Sequence, residues 1–304
     1  MKYFLKHITE INWLAGILLS VAALAMWIPD FISPDSVWKT IVCLLLTVGN
    51  GVLLMYILYQ SGVTRTRISL PVFCYVLAIS SLTLLHTQWE SQLSILALQT
   101  VLLLLLKSYR SANAVHESFI GTIVICSAAI LQPDILVLLI VLWAGLGIQR
   151  AFNLRVILAS LSVVLMFMLY KWLSAIFWPE VFGTLQTTEI LARSFTGMSM
   201  LAEVCYTAIA AVLFTVLSLT GFARENSRAQ SLVLILIITM FLSGVLMLFP
   251  PKYFASLLAI AVYTMSALAS YCFASGQSVA KGVIFLLFVS SSVTIYFLNL
   301  YNII

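Results

Sequence analysis

Apolar runs such as VLLLLL (101–106) and LVLILIITMFL (232–242) recur from one end of the chain to the other, with scarcely a charge inside them. No single water-soluble core can hide them, because 63% of the 304 residues are apolar and only 8% are charged. In hydrocarbon a helix bonds its own backbone groups, which makes an all-α, polytopic transmembrane helix bundle the expected fold. Eleven segments qualify: Ile11 to Ile28, Trp38 to Tyr59, Leu70 to Leu85, Gln92 to Leu106, two arms between Phe119 and Ile148, Val156 to Trp172, Leu201 to Leu219, Leu232 to Leu248, Phe254 to Phe273, and Val283 to Leu298. The connections are short, so residues 1–304 read as one integral membrane domain without a soluble domain. The first segment has no small-residue cleavage site, since it ends in Met26-Trp27-Ile28-Pro29-Asp30, and reads as an uncleaved span.

The stretch from Phe119 to Ile148 is the most distinctive. Its two arms, of about 13 residues or roughly 20 Å each, are short for a hydrocarbon core roughly 30 Å thick. They meet at Gln132-Pro133-Asp134 and form a predicted helical hairpin. Pro133 suits a first helical turn, where its missing N–H has no partner, and Asp134 complements the positive end of the helix dipole. Extending the first arm back through Ser111 to Ser118 would lengthen it at the basic end. Gly121 and Gly145, equally far from the turn, are expected to oppose each other as the hairpin seam. No long sequence repeat is visible.

Placing the amino terminus in the cytoplasm puts eleven of the 15 Lys and Arg residues inside, leaving Lys39, Lys171, Arg193 and Lys252 outside. That asymmetry is a positive-inside signal and points to the bacterial inner, cytoplasmic membrane. Trp27, Trp38, Trp89, Trp172 and Trp178 fall at outer ends of spans and are expected among headgroups, whereas Trp143 reads as packing. The connection from Leu173 to Met200 could form a surface-lying helix turning Leu185, Ile190, Leu191 and Phe195 to lipid, or be a plain connector. A pI near 9.0 does not imply nucleic acid, because the cations are spread over loops instead of forming a basic face. The five cysteines lie within apolar runs without metal-ligand spacing, which implies neither disulfides nor a metal.

Seven of the ten acids are expected on the outer face. Asp30 and Asp35 share the first external loop and are candidate catalytic carboxylates, as a general base or a sugar ligand; Ser33-Pro34-Asp35 reads equally as a helix cap. His86, Glu90, Asp134 and Glu203 are candidate substrate-binding residues on the same side. Glu203 lies in the first turn of a span, where a carboxylate can complement the helix dipole. His86 and Glu90 flank a turn and could relay protons if they faced Asp30 or Asp134. On the inner face Lys107, Arg110, Arg150 and Arg155 gather at the base of the hairpin, where anionic headgroups attract cations by roughly 1 kcal/mol each. A phosphate site would need these residues to converge.

From Gly121 to Arg155 the chain, GTIVICSAAILQPDILVLLIVLWAGLGIQRAFNLR, resembles the mid-chain hairpin of GT-C-type membrane glycosyltransferases. With LPVFCYVLAIS (70–80) it is more closely similar to a family of polytopic inner-membrane proteins of Bacteroidota with no assigned activity. The first resemblance implies sugar transfer from a polyprenyl-phosphate donor at the external face, assisted by an acid of the first loop, the place that Asp30 and Asp35 occupy here. It departs from that pattern in a first loop of only about nine residues, without juxtamembrane helices, and in carrying no large carboxy-terminal soluble domain. Envelope glycan or glycolipid assembly is therefore the function expected, with membrane lipids and a polyprenyl-phosphate lipid as partners. A non-catalytic subunit or scaffold bound to other membrane proteins, or a flippase or transporter, stands beside it.

Overall fold

The computed structural model describes residues 13–31, 37–63, 69–111, 113–177, 198–223, 225–247, 254–274 and 278–300. Asp35, the segment carrying Leu185, Ile190, Leu191 and Phe195, and Trp178 lie outside them. The described residues form eleven α-helices and no strand. They are α1 (Trp13–Leu24), α2 (Val37–Gln60), α3 (Leu70–Ser80), α4 (Trp89–Ser108), α5 (Val115–Leu131), α6 (Leu138–Ile148), α7 (Leu154–Phe177), α8 (Met198–Phe222), α9 (Ser227–Met247), α10 (Phe254–Ala274) and α11 (Val279–Leu300). Seven are long and apolar enough to cross a membrane, namely α2, α4 and α7 to α11. This is a multi-pass membrane protein.

Each of the short helices α1, α3 and α5 is followed by a 3₁₀ segment: Ala25–Phe31, Thr83–Leu85 and Pro133–Val137. The last joins α5 and α6, which pack on each other, whereas α1 packs chiefly against α3, and α2 against α3 and α4. The breaks have local causes. Pro29 lies inside the first segment and Pro133 opens the third, since proline has no N–H to give to a continuing helix. At the second, the Ser81 hydroxyl bonds the Ala78 carbonyl at 2.8 Å and competes with the helical ladder. The hairpin expected at 119–148 is thus formed by α5 and α6 and turned by the third of these segments. Its first arm starts at Val115, four residues before the apolar run.

At the other end of α2, α4 and α6 the chain turns three times through a left-handed residue: Gly62 (φ 81°), Arg110 (φ 57°) and Arg150 (φ 58°). After α6 the amide of Ala151 bonds the Leu146 carbonyl at 3.0 Å, which closes a Schellman motif with Arg150 in the position that favours glycine. After α4, Tyr109 (φ −56°, ψ 118°) and Arg110 are the central residues of a type II turn, closed from Ser111 N–H to the Ser108 carbonyl at 2.9 Å. A left-handed side chain costs about 1–2 kcal/mol relative to glycine at each arginine. The two ends of the bundle are called basic, for Arg110, Arg150 and Arg228, and acidic, for Asp30, Glu90, Asp134 and Glu203.

Helix α10 is the centre of the fold. Every residue from Phe254 to Phe273 is buried, because α3 and α4 pack on one side and α8 and α9 on the other. Ala255, Ser256, Ala259, Ser266, Ala267 and Ser270 keep its surface low, which lets neighbouring backbones approach where apolar contact gains little over lipid. By contrast α7 exposes Leu158, Leu161, Leu165 and Met166, the face of a helix at the rim. The expected glycine seam is half corrected. A Cβ on Gly121 would meet Leu142 of α6 at 3.3 Å, within the hairpin, but one on Gly145 would meet Leu105 of α4 at 2.5 Å. The two glycines therefore do not oppose each other: Gly145 admits α4 and not its own partner arm.

Candidate functional site

The acidic end brings together three of the residues singled out from the sequence. The 3₁₀ segment after α1 presents Trp27 and Asp30, and the turn after α3 presents His86. His86 Nδ1 lies 2.6 Å from Asp30 Oδ2, and Nε2 lies 3.2 Å from the main-chain carbonyl of Ser80. Trp27 stacks on the imidazole with ring centroids 4.0 Å apart and planes 16° from parallel, and its indole N–H donates to Ser80 Oγ at 2.9 Å. Both His86 and Trp27 are wholly buried, whereas Asp30 keeps 28% of its side chain exposed.

Both ring nitrogens of His86 face oxygen acceptors, and the donor and acceptor roles follow from the tautomer. The carboxylate partner makes burial of the imidazole tolerable, since an unpaired buried ion is far more costly than a paired one. The pair offers the partly exposed Asp30 carboxyl group outward.

The same turn holds Glu203. Thr83, whose carbonyl accepts the His86 amide at 3.2 Å, donates its hydroxyl to Glu203 Oε1 at 3.3 Å, and Asn299 Nδ2 donates to the same oxygen at 2.7 Å. Glu203 Oε2 is buried and completes no hydrogen bond with the described residues. Glu90 sits in the first turn of α4, half-buried, with the Lys39 ammonium as a favourable neighbour. Asp134 lies in the 3₁₀ segment between α5 and α6. Asp30 and His86 thus touch directly and Glu203 reaches the His86 turn through Thr83, while Glu90 and Asp134 stand at the starts of other segments of the same end. Trp27 corrects its expected place among headgroups: it roofs His86, and Trp89 packs half-buried against the core, while Trp38 and Trp172 are 75% and 66% exposed.

Sequence reasoning missed a second polar group, deep between α2, α3, α4 and α10. Asn50 donates to the Gln92 carbonyl at 3.1 Å and to Gln92 Oε1 at 3.3 Å, and the Tyr75 hydroxyl donates to that same oxygen at 3.0 Å. Gln99 donates to the Asn50 carbonyl at 2.6 Å and faces Tyr263 of α10. All five residues are almost fully buried. The available signal was an amide in the middle of an apolar run, since such a residue needs a partner in hydrocarbon. Trp143 is likewise more than packing, because its indole N–H donates to Ser160 Oγ at 3.0 Å.

No family model, curated protein or solved structure matches this chain. The cysteines are all free thiols, four buried and Cys205 exposed, and no cluster of metal ligands occurs among the described residues. Two cavities, lined by Tyr109 to Gln230 and by Tyr59 to Arg228, lie at the basic end, opposite the Asp30 and His86 pair.

Proposed function

We propose that this protein acts in envelope glycan or glycolipid assembly in the bacterial inner membrane, transferring a sugar from a polyprenyl-phosphate donor at the outer face. The observation that carries the reading is the Asp30 and His86 pair, a partly exposed carboxylate held 2.6 Å from a buried imidazole directly after α1. In the imidazolium–carboxylate form, Asp30 accepts the proton of an acceptor hydroxyl as its oxygen attacks the anomeric carbon. The bond from that carbon to the lipid phosphate breaks, and the phosphate leaves with the electron pair. His86 is a positioning residue that fixes the Asp30 rotamer and carries the balancing charge. Orientation rests on the excess of cations expected inside.

The test is sugar transfer from a synthetic polyprenyl-phosphate sugar in membranes containing the full chain. Asp30→Asn should abolish transfer, by at least about a hundredfold for a lost general base. His86→Gln, which can still donate to Asp30, should retain part of it. Transfer at the wild-type rate in a folded Asp30→Asn variant removes the catalytic reading. A second reading, a non-catalytic subunit of an envelope assembly, is favoured by one observation: the interior is filled by α10, with no residue from Phe254 to Phe273 left exposed. Under that reading both variants leave glycans unchanged and a membrane-protein partner co-purifies.

A further inference from the structure

Of the four cations that gather at the base of the α5–α6 hairpin, the fold brings two into one cavity. Arg110 and Arg150 line a space of about 260 Å³ with Tyr109, Gln149, Ser227 and Gln230, and no carboxylate lines it among the described residues. Lys107 and Arg155 do not line it. The walls are pinned: the Arg110 guanidinium lies over the Tyr109 ring, 5.4 Å from its centroid, and the Tyr109 hydroxyl donates to Ser227 at 2.7 Å. Both arginines occupy left-handed backbone positions, φ 57° and 58°, where the equivalent turn after α2 uses Gly62. Strained side chains facing one concavity are a mark of function, because glycine would serve the turns better.

We propose that this cavity binds a phosphate group, carried by an anionic lipid headgroup or by a small soluble phosphate ester, with Arg110 and Arg150 as its two cations. Guanidinium forks match phosphate oxygens in pairs, and two of them without an opposing carboxylate leave a net positive field for an anion to neutralise. The volume lies just under the roughly 300–1,000 Å³ that drug-sized ligands occupy, which suits a headgroup and not a nucleotide. Arg228 extends the positive surface into a neighbouring cavity with Tyr59 to Gly62. The site lies at the opposite end from Asp30 and His86, so its fate and that of the transferase reading are decided separately.

The experiment uses the full chain in neutral detergent, titrated with short-chain phosphatidylglycerol and, separately, with glycerol 3-phosphate, and read by calorimetry. Wild type should bind at least one probe. Arg110→Gly and Arg150→Gly should each weaken binding by tenfold or more while melting no lower than wild type, since glycine relaxes both turns. Arg110→Gln and Arg150→Gln, which keep the wild-type backbone demand, carry the same prediction should either glycine variant fold poorly. Lys107→Gln and Arg155→Gln should stay within twofold. Binding of the lipid alone identifies a headgroup site, and binding of both probes identifies a phosphate-ester site. The proposal is overturned if neither probe binds, if the arginine variants bind as wild type does, or if the Lys107 and Arg155 variants lose as much, which would mean a general attraction to anionic surfaces.

Discussion

Substituting Gly145 with alanine tests the contact that holds α4 and α6 together. Its Cβ would lie 2.5 Å from Leu105 Cδ1, 3.0 Å from Cδ2 and 3.3 Å from Cγ. With both methyls and their parent carbon in the way, rotating the leucine exchanges one clash for another. Leu105 is only 1% exposed and has no open space to enter. Overpacking of this kind costs about 1–3 kcal/mol. Gly147, on the same helix, has nothing within 4 Å of its would-be Cβ. Both exchanges gain up to about 1 kcal/mol of helix propensity, so the difference between Gly145→Ala and Gly147→Ala isolates the clash at about 2 kcal/mol. At roughly 2–4 °C per kcal/mol, melting in detergent should separate the two variants by about 4–8 °C. Leu105→Ala removes the obstructing carbons, so adding it to Gly145→Ala should cost less than adding it to wild type. Leu105 and Gly145 each precede by five residues the arginine that ends their helix, so the clash should also spread Arg110 from Arg150 and weaken phosphate binding. Equal melting of the two alanine variants, or strict additivity with Leu105→Ala, would refute the packing argument.

Two further outcomes follow from the fold. Asn50→Leu breaks its two donated bonds to Gln92 in the interior and should lower stability by about 1 kcal/mol, because interhelical hydrogen bonds in membranes average about 0.6 kcal/mol each and Gln92 Oε1 keeps the Tyr75 hydroxyl as a donor; an unchanged melting midpoint would show that the polar group does not fix helix register. Cysteines placed at Gln60 and Thr87, exposed positions at the basic and acidic ends, should label with an impermeant thiol reagent from opposite sides of the membrane, Gln60→Cys from the cytoplasm and Thr87→Cys from outside. The reverse pattern would place Asp30 and His86 inside and remove the proposed donor chemistry with them.

Much of the site was readable residue by residue but not as an arrangement. Asp30 and His86 stood out because charged and titratable groups are scarce in so apolar a chain, yet a separation of 56 in sequence hides a 2.6 Å contact. Their union depends on the 3₁₀ break after α1 and the turn after α3, within segments that hydropathy alone reads as single spans to Ile28 and Leu85. Arg110 and Arg150 looked no different from Lys107 and Arg155, since left-handed φ is a property of a turn and not of a residue type.

The sequence alone determined that the chain is helical, that it lies in a membrane and where its apolar segments run, because hydrocarbon demands that each helix satisfy its own backbone. Which helix becomes the core was decided by tertiary packing. Phe254 to Phe273 reads as one span among eleven, and only the docking of α3, α4, α8 and α9 around its small residues buries it on every side. Lipid and protein are equally apolar neighbours, so hydropathy cannot distinguish a helix facing one from a helix facing the other.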